Sequence, residues 1–397
     1  MKKTRTFLNA MGMVNALGAS VSEIREKLYL GSNDHIQKES NFIPDETVCV
    51  ARVTSAMSEI PKELSEYDSR NDRLLMTAYE QIKDSVQAQI EKYGAHRVGV
   101  VLGSSTSGVL ETEEALNERK LKGSYLKDYS YLKQEMGTVS EFIAKVSKAE
   151  GIAYTISTAC SSSAKVFGSA KSLIEMGICD AVITGGADSL CKLTLNGFWS
   201  LESVSKDKCN PMSKNRSGLT IGEAAALFVL TKDESKIELL GVGESSDAYH
   251  ISSPEPEGLG VEQAVKKALA DASLKPEDID YINLHGTGTE KNDSMESRAM
   301  KRIFGSETPC SSTKSLVGHT LGAAGATETG FLWLSLGDED RLPPHVYDNE
   351  YDDTLPKIRL VSVNEKIAKK TNRRYMSNSF AFGGNNCCVI IGENNGI

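Results

Sequence analysis

No apolar stretch of the sequence approaches the roughly 18 to 20 residues needed to cross a bilayer, so no membrane span is expected. Excess positive charge is missing too: 45 Lys and Arg stand against 54 Asp and Glu, for a formal charge of −9. A surface that tracks a nucleic-acid backbone needs surplus cations, so nucleic-acid binding is not expected. The 8 cysteines form no CxxC pair and no His/Cys cluster along the chain, which argues against a zinc site and a disulfide framework. With only 10 prolines in 397 residues and no low-complexity tract, collagen-like and broadly disordered chains are excluded. The first residues are briefly basic but lead into neither a signal h-region nor a cleavage site, so the expected location is cytoplasmic.

What is present is a chain with 40% hydrophobic residues, 25% charged residues and 33 glycines, long enough for one large or two ordinary domains with a sizeable core. Apolar runs alternate with helical periodicity. Residues 97–103 and 151–157 read as strands, 162–176 as a helix and 180–184 as a strand closed by Gly185 and Gly186. Residues 224–230 resume a strand. Beyond a charged connection at 232–236 the grammar repeats: a helix over 260–272, a strand over 279–284, a Gly/Thr turn, and a small-residue helix over 321–336. This pattern predicts an α/β fold with a mostly parallel sheet covered on both faces. It also divides the chain into halves at 1–235 and 236–397. Residues 110–136, charged and tyrosine-bearing, read as a helical insertion or a partner-facing excursion.

Chemistry concentrates at a few places. Cys160 stands in Thr158-Ala159-Cys160-Ser161-Ser162-Ser163, after an apolar strand and before a helix. The unpaired N–H groups and positive dipole end of a helix start lower a thiol pKa, which suits a nucleophile that holds an acyl group as a thioester. His285 opens Gly286-Thr287-Gly288-Thr289 after a strand, and His319 sits between Gly318 and a run of small residues. One Cys and two His at strand ends are where open α/β sheets bind ligands. Lys314 lies on the same approach as His319 and could orient a carboxylate-bearing group or balance Glu328. The turn at Phe380-Ala381-Phe382-Gly383-Gly384 either completes an oxyanion hole with the Cys160 N–H or simply packs its rings in the core. His35, His96, His250 and His345 read as surface residues.

These motifs, in this order, resemble the elongating, Cys-His-His type of beta-ketoacyl-[acyl-carrier-protein] synthase, a member of the thiolase-like superfamily. The resemblance rests on Thr158-Ala159-Cys160, His285-Gly286-Thr287-Gly288-Thr289, Asn292-Asp293, Lys314-Ser315, Gly318-His319, the run 321–325, and Asn378-Ser379-Phe380 with Phe382-Gly383-Gly384. It implies a five-layer αβαβα fold with duplicated halves and mixed sheets, working as a homodimer or as a heterodimer with a homologous ketosynthase-like subunit. It further implies Cys160 as acyl acceptor and His285 and His319 as partners in decarboxylating a malonyl extender. Lys314 with Glu328 would organise the site, and Phe382 would act as a gate. Thr287 and Thr289 would contact the phosphopantetheine arm of an acyl carrier protein, and no metal or permanently bound cofactor is implied.

For carrier docking, Lys206, Lys208 and Arg216 are the candidate cations. Ala381, Asn385, the hydroxyl-rich Ser161-Ser162-Ser163 and the segments 210–218 and 222–225 depart from the common family pattern. They set fatty-acid-like elongation, the leading expectation, against a polyene or polyketide pathway with a chain-length-factor-like partner. A CoA-dependent thiolase would carry a second cysteine in the Gly383-Gly384 turn, and an initiating Cys-His-Asn enzyme would carry Asn in place of His319. A non-catalytic subunit would have lost Cys160.

Overall fold

In the computed structural model, which describes residues 4–337, 341–368 and 370–394, the two halves of the chain repeat one strand order. The first half contributes β1 (Phe7–Val14), β2 (Val98–Gly103), β3 (Ala153–Ile156), β4 (Ala181–Asp188) and β5 (Ala224–Thr231). The second contributes β6 (Ile237–Ser246), β7 (Tyr281–Asn283), β8 (Pro309–Ser311), β9 (Arg374–Phe380) and β10 (Asn385–Glu393). Across the sheet the first half runs β3-β2-β4-β5-β1 and the second β8-β7-β9-β10-β6. In each half the first strand pairs antiparallel with the fifth and the fifth antiparallel with the fourth; the fourth pairs parallel with the second, and the second with the third. Pairing of Phe7 with Glu238 links the sheets of the two halves edge to edge into one hydrogen-bonded series of 11 strands, with Arg359–Leu360 as the far edge. The sheets are therefore mixed rather than mostly parallel, because in each half the fifth strand runs antiparallel to both the first and the fourth.

Period-two patterning in the strands places the layers. Helices α1 (Arg70–Glu80) and α2 (Thr138–Ser147) cover one outer face. Helices α3 (Ser162–Glu175) and α6 (Ala324–Leu336) lie between the sheets, and α4 (Leu259–Ala272) and α5 (Glu290–Phe304) cover the other outer face. In β5, Ala225, Leu227 and Val229 meet Leu74 and Phe142 in the outer core, whereas Ala226, Phe228 and Leu230 meet Phe167 and Phe331 in the central one. In β10, Cys387, Val389 and Ile391 face the central core, and Cys388 and Ile390 pack with Val265 and Met300 outside. The alternation gives each sheet two buried faces and makes five layers.

Helix α6 is buried nearly all round, as a helix without a polar stripe must be. Its small residues let it approach α3: a Cβ on Gly325 would lie 2.6 Å from the Ala164 nitrogen. The strand expected over 180–184 runs on through Gly185 and Gly186 to Asp188. These glycines do not end it; they admit close neighbours, since a Cβ on Gly186 would sit 2.2 Å from the Gly103 carbonyl oxygen. The strand expected over 279–284 is trimmed to β7, and α6 starts at Ala324 after a 3-10 turn at Leu321–Ala323. The insertion forms a helix at Val109–Lys122 that leaves Leu116 and Leu121 exposed. Among the described residues no helix is long and apolar enough to cross a membrane.

Candidate active site

Helix α3 begins at Ser162, and the chain enters it through Ala159 at φ +51°, a left-handed position unusual for alanine. This elbow delivers Cys160 into a cavity of about 560 Å³ that is also lined by Phe198, His285, Thr287, Thr289 and His319. The elbow is pinned by Thr158 N–H donating to Ser162 Oγ at 2.9 Å and by Ser162 Oγ–H donating to the Ala159 carbonyl at 2.6 Å. Facing it, His319 Nε2 is 3.0 Å from Cys160 Sγ. The His319 backbone is tied into the small sheet of Gln37–Glu39, Val48–Ala51 and Ile221–Gly222, where its N–H donates to Thr220 O at 2.6 Å and its carbonyl accepts from Gly222 N–H at 2.9 Å.

His285 stands edge-on to His319 with ring centroids 5.3 Å apart. It follows β7, and its turn is held by the buried Glu296 carboxylate, which accepts from His285 N–H at 2.8 Å and Gly286 N–H at 2.7 Å. Lys314 Nζ lies 3.5 Å from His285 Nδ1 and 2.5 Å from Glu328 Oε1, with both side chains of that ion pair buried. Thr287 and Thr289 share a hydroxyl contact of 2.8 Å at the cavity wall. Phe382 is half-buried, with its ring 5.2 Å from Phe198, and it precedes Gly383 and Gly384, which adopt φ of +77° and +74°. The N–H groups of Phe382 and of Cys160 itself are both placed to stabilise a charge at the sulfur. Every site residue expected from the sequence is thus gathered here.

The electrostatics differ from the expectation at one point. Burial pushes the Cys160 thiol up to about 11, against the pull of the Lys314 ammonium and the two N–H groups. The thiol is raised rather than lowered, because loss of water outweighs the Lys314 charge and the two N–H groups. Burial, aided by the Lys314 charge, holds His285 and His319 well below the ordinary imidazole range, so both rings are neutral at physiological pH. Burial also raises Glu328 to about 7, with Lys314 opposing the rise. A buried thiol beside a neutral imidazole is a proton-transfer pair, and the adjacent N–H groups can hold an oxyanion. Donor atoms of Cys160, His285 and His319 lie within 4.8 Å of one another, which is also metal-ligand spacing. The Lys314 ammonium on His285 already places a positive charge at that set.

Three readings of single residues change. His345, expected at the surface, is buried: its Nδ1 accepts from Ser312 N–H at 3.0 Å, and its Nε2 is 3.0 Å from Pro211 O. His35 is half-buried with Nε2 2.6 Å from Leu316 O, whereas His96 and His250 are exposed. Arg216 is not a free surface cation; its side chain is 7% exposed and pairs with Asp352 at 2.6 Å. Lys206 and Lys208 are accessible but face Glu46 and Asp34. Phe198, Asp188 and Glu296 belong to the site and were not singled out in the sequence. The polar run Ser104-Ser105-Thr106-Ser107 after the strand at 97–103 is the sequence signal that could have pointed to a buried carboxylate there.

Comparison with known proteins gives a consistent result. The family model described as beta-ketoacyl synthase, N-terminal domain, matches residues 11–236, and that described as beta-ketoacyl synthase, C-terminal domain, matches residues 237–347. The chain is 31% identical to 3-oxoacyl-[acyl-carrier-protein] synthase 2 of Staphylococcus aureus, over 83% of this chain and 85% of that one. Among solved structures it is similar to the ketosynthase ApeO, solved in complex with its chain length factor ApeC, from Xenorhabdus doucetiae. The identity there is 46% and the TM-score 0.94, with 98% of each chain covered. It is also similar to a beta-ketoacyl synthase from Burkholderia phymatum STM815, at 29% identity and TM-score 0.89, covering 99% of this chain and 100% of that one.

Proposed function

The chain belongs to the beta-ketoacyl synthase family and is an acyl-transferring condensing enzyme; we propose that it serves a polyene or polyketide pathway, paired with a homologous chain-length-factor-like subunit, rather than ordinary fatty-acid elongation. The observation that carries this reading is the 46% identity across nearly the whole chain to a ketosynthase solved with its chain length factor, against 31% to a 3-oxoacyl-[acyl-carrier-protein] synthase 2.

In the proposed mechanism the Cys160 thiol gives its proton to His319 Nε2 as the sulfur attacks the thioester carbonyl of an acyl group delivered on the phosphopantetheine arm of an acyl carrier protein. The tetrahedral oxyanion sits between the N–H groups of Cys160 and Phe382, and collapse expels the carrier thiol, which takes up the proton. A malonyl-carrier then enters past Phe382, with Thr287 and Thr289 along the arm. Lys314, donating at Nδ1, leaves His285 with its hydrogen on Nε2. His285 Nε2–H donates to the thioester oxygen as CO2 leaves, with the neutral His319 ring beside it, so that the enolate forms without a charged acid. The enolate carbon attacks the acyl-Cys160 carbonyl, collapse expels the Cys160 sulfur, which takes up a proton from water to restore the thiol, and the product is a beta-ketoacyl thioester longer by two carbons.

Glu328 holds Lys314 in place in this account. The carrier arm is the only prosthetic group it needs, the reaction runs in the cytoplasm, and residues 1–235 and 236–397 form the nucleophile-bearing and histidine-bearing domains. Reconstitution with acyl- and malonyl-carrier, with and without the homologous subunit, tests the pathway reading. Repeated extension that requires the second subunit supports it; efficient single extension of saturated acyl chains by this chain alone sinks it.

A further inference from the structure

Asp188 ends β4 with no solvent exposure, and every bond to its carboxylate comes from a neutral donor. Oδ1 accepts from Ser104 Oγ at 2.7 Å, Ser105 N–H at 2.8 Å, and Thr106 N–H and Oγ1 at 2.9 Å. Oδ2 accepts from Ser105 Oγ and from Gly322 N–H, each at 2.5 Å. A carboxylate offers about four lone-pair sites, so this one is saturated, and among the described residues no cation pairs with it.

The donors belong to the two segments whose separation sets the reacting geometry. Residues 104–106 continue directly from Gly103, on which the start of α3 rests: a Cβ there would lie 2.4 Å from Ser163 N. Gly322 lies in the turn just after His319, and its packing against Asp188 is so close that a Cβ would fall 2.7 Å from Oδ2. Upstream, His319 is already held by Thr220 and Gly222. Resting on the condensing reading above, we propose that Asp188 is a positioning residue, whose carboxylate clamps the turn after His319 to the loop beneath the nucleophile's helix and so sets the 3.0 Å approach of Nε2 to Sγ. The carboxylate thus bridges the nucleophile side and the base side of the site.

Its charge also reaches the sulfur, raising the Cys160 thiol against Lys314; the other titratable groups around the sulfur are the neutral His285 and His319, with Glu328 engaged by Lys314. The test is Asp188→Asn alongside Ser105→Ala in the full-length enzyme, with iodoacetamide alkylation of Cys160 followed against pH by intact mass and acyl transfer measured at steady state. Asp188→Asn is expected to lose about 100-fold in kcat with KM unchanged and to move the alkylation midpoint down by roughly half a pH unit or more. Ser105→Ala keeps the charge and removes one clamp, so kcat falls about tenfold and the midpoint stays. A folded Asp188→Asn enzyme with wild-type kcat and midpoint overturns the proposal. If that variant does not fold, wild-type kcat in Ser105→Ala overturns it. Wild type that never accepts an acyl group would defeat the condensing reading instead, and the alkylation midpoints would still decide the role of Asp188.

Discussion

Removing the imidazole of His319 should expose how little thiolate Cys160 holds on its own. With the thiol pushed up to about 11, the free thiolate fraction at pH 7.5 is roughly 3 in 10,000. In the wild type that deficit is bypassed, because Nε2 at 3.0 Å accepts the proton as the sulfur attacks. His319 is held well below the ordinary imidazole range, so it is neutral and available throughout the neutral region. The wild-type alkylation rate is therefore expected to be nearly flat from about pH 6.5 to 9. His319→Ala should fall by about 10²- to 10⁴-fold at pH 7.5, some 3 to 5 kcal/mol of barrier. Its residual rate should climb tenfold per pH unit toward the thiol's own titration. Iodoacetamide alkylation, scored by intact mass with Cys160→Ala as the blank, measures both quantities. A His319→Ala enzyme that alkylates within threefold of wild type at pH 7.5, with the same flat profile, would refute the proton-transfer reasoning.

Further outcomes follow from the packing and the buried polar groups. Burial lowers His345 from its ordinary 6.5 to about 4, so the unfolded chain binds the extra proton between those values. The stability that the neutral ring contributes is complete above pH 6.5 and lost as pH falls through 4, about 3 kcal/mol in all; urea titrations from pH 7 to 4 should show a shallower acid loss in His345→Gln. Glu296→Ala leaves the His285 and Gly286 N–H groups without their acceptor, and should cost about 2 to 4 kcal/mol by denaturant melts. Gly325→Ala forces a methyl to within 2.6 Å of the Ala164 nitrogen at the α3–α6 contact, and should cost about 1 to 3 kcal/mol in the same assay.

The nucleophile and its histidines were legible because each sits where local sequence says so: an apolar strand, then a small polar turn, then a helix start or a glycine. The pKa of Cys160 was not, since burial is set by Phe382 and Phe198 arriving from distant segments. Arg216 looked like a solvated cation for the same reason; its partners Asp352 and Asp293 are remote in sequence. Gly185 and Gly186 carried a turn signal, but β2 and β5 press against them so closely that only glycine continues the strand. The duplicated strand order was only hinted at by the repeated grammar. Antiparallel pairing of β4 with β5, and of β9 with β10, depends on long-range register that no single window contains.

The central claim is that Cys160 carries the growing chain, and intact-protein mass tests it most directly. Wild type and Cys160→Ala are exposed to a panel of acyl-carrier thioesters, alone and with the homologous subunit, and malonyl-carrier is then added. The account predicts an acyl adduct on wild type, absent in Cys160→Ala, that is discharged by malonyl-carrier as a product two carbons longer. An adduct that persists in Cys160→Ala, or no adduct with any donor in either setting, would contradict it.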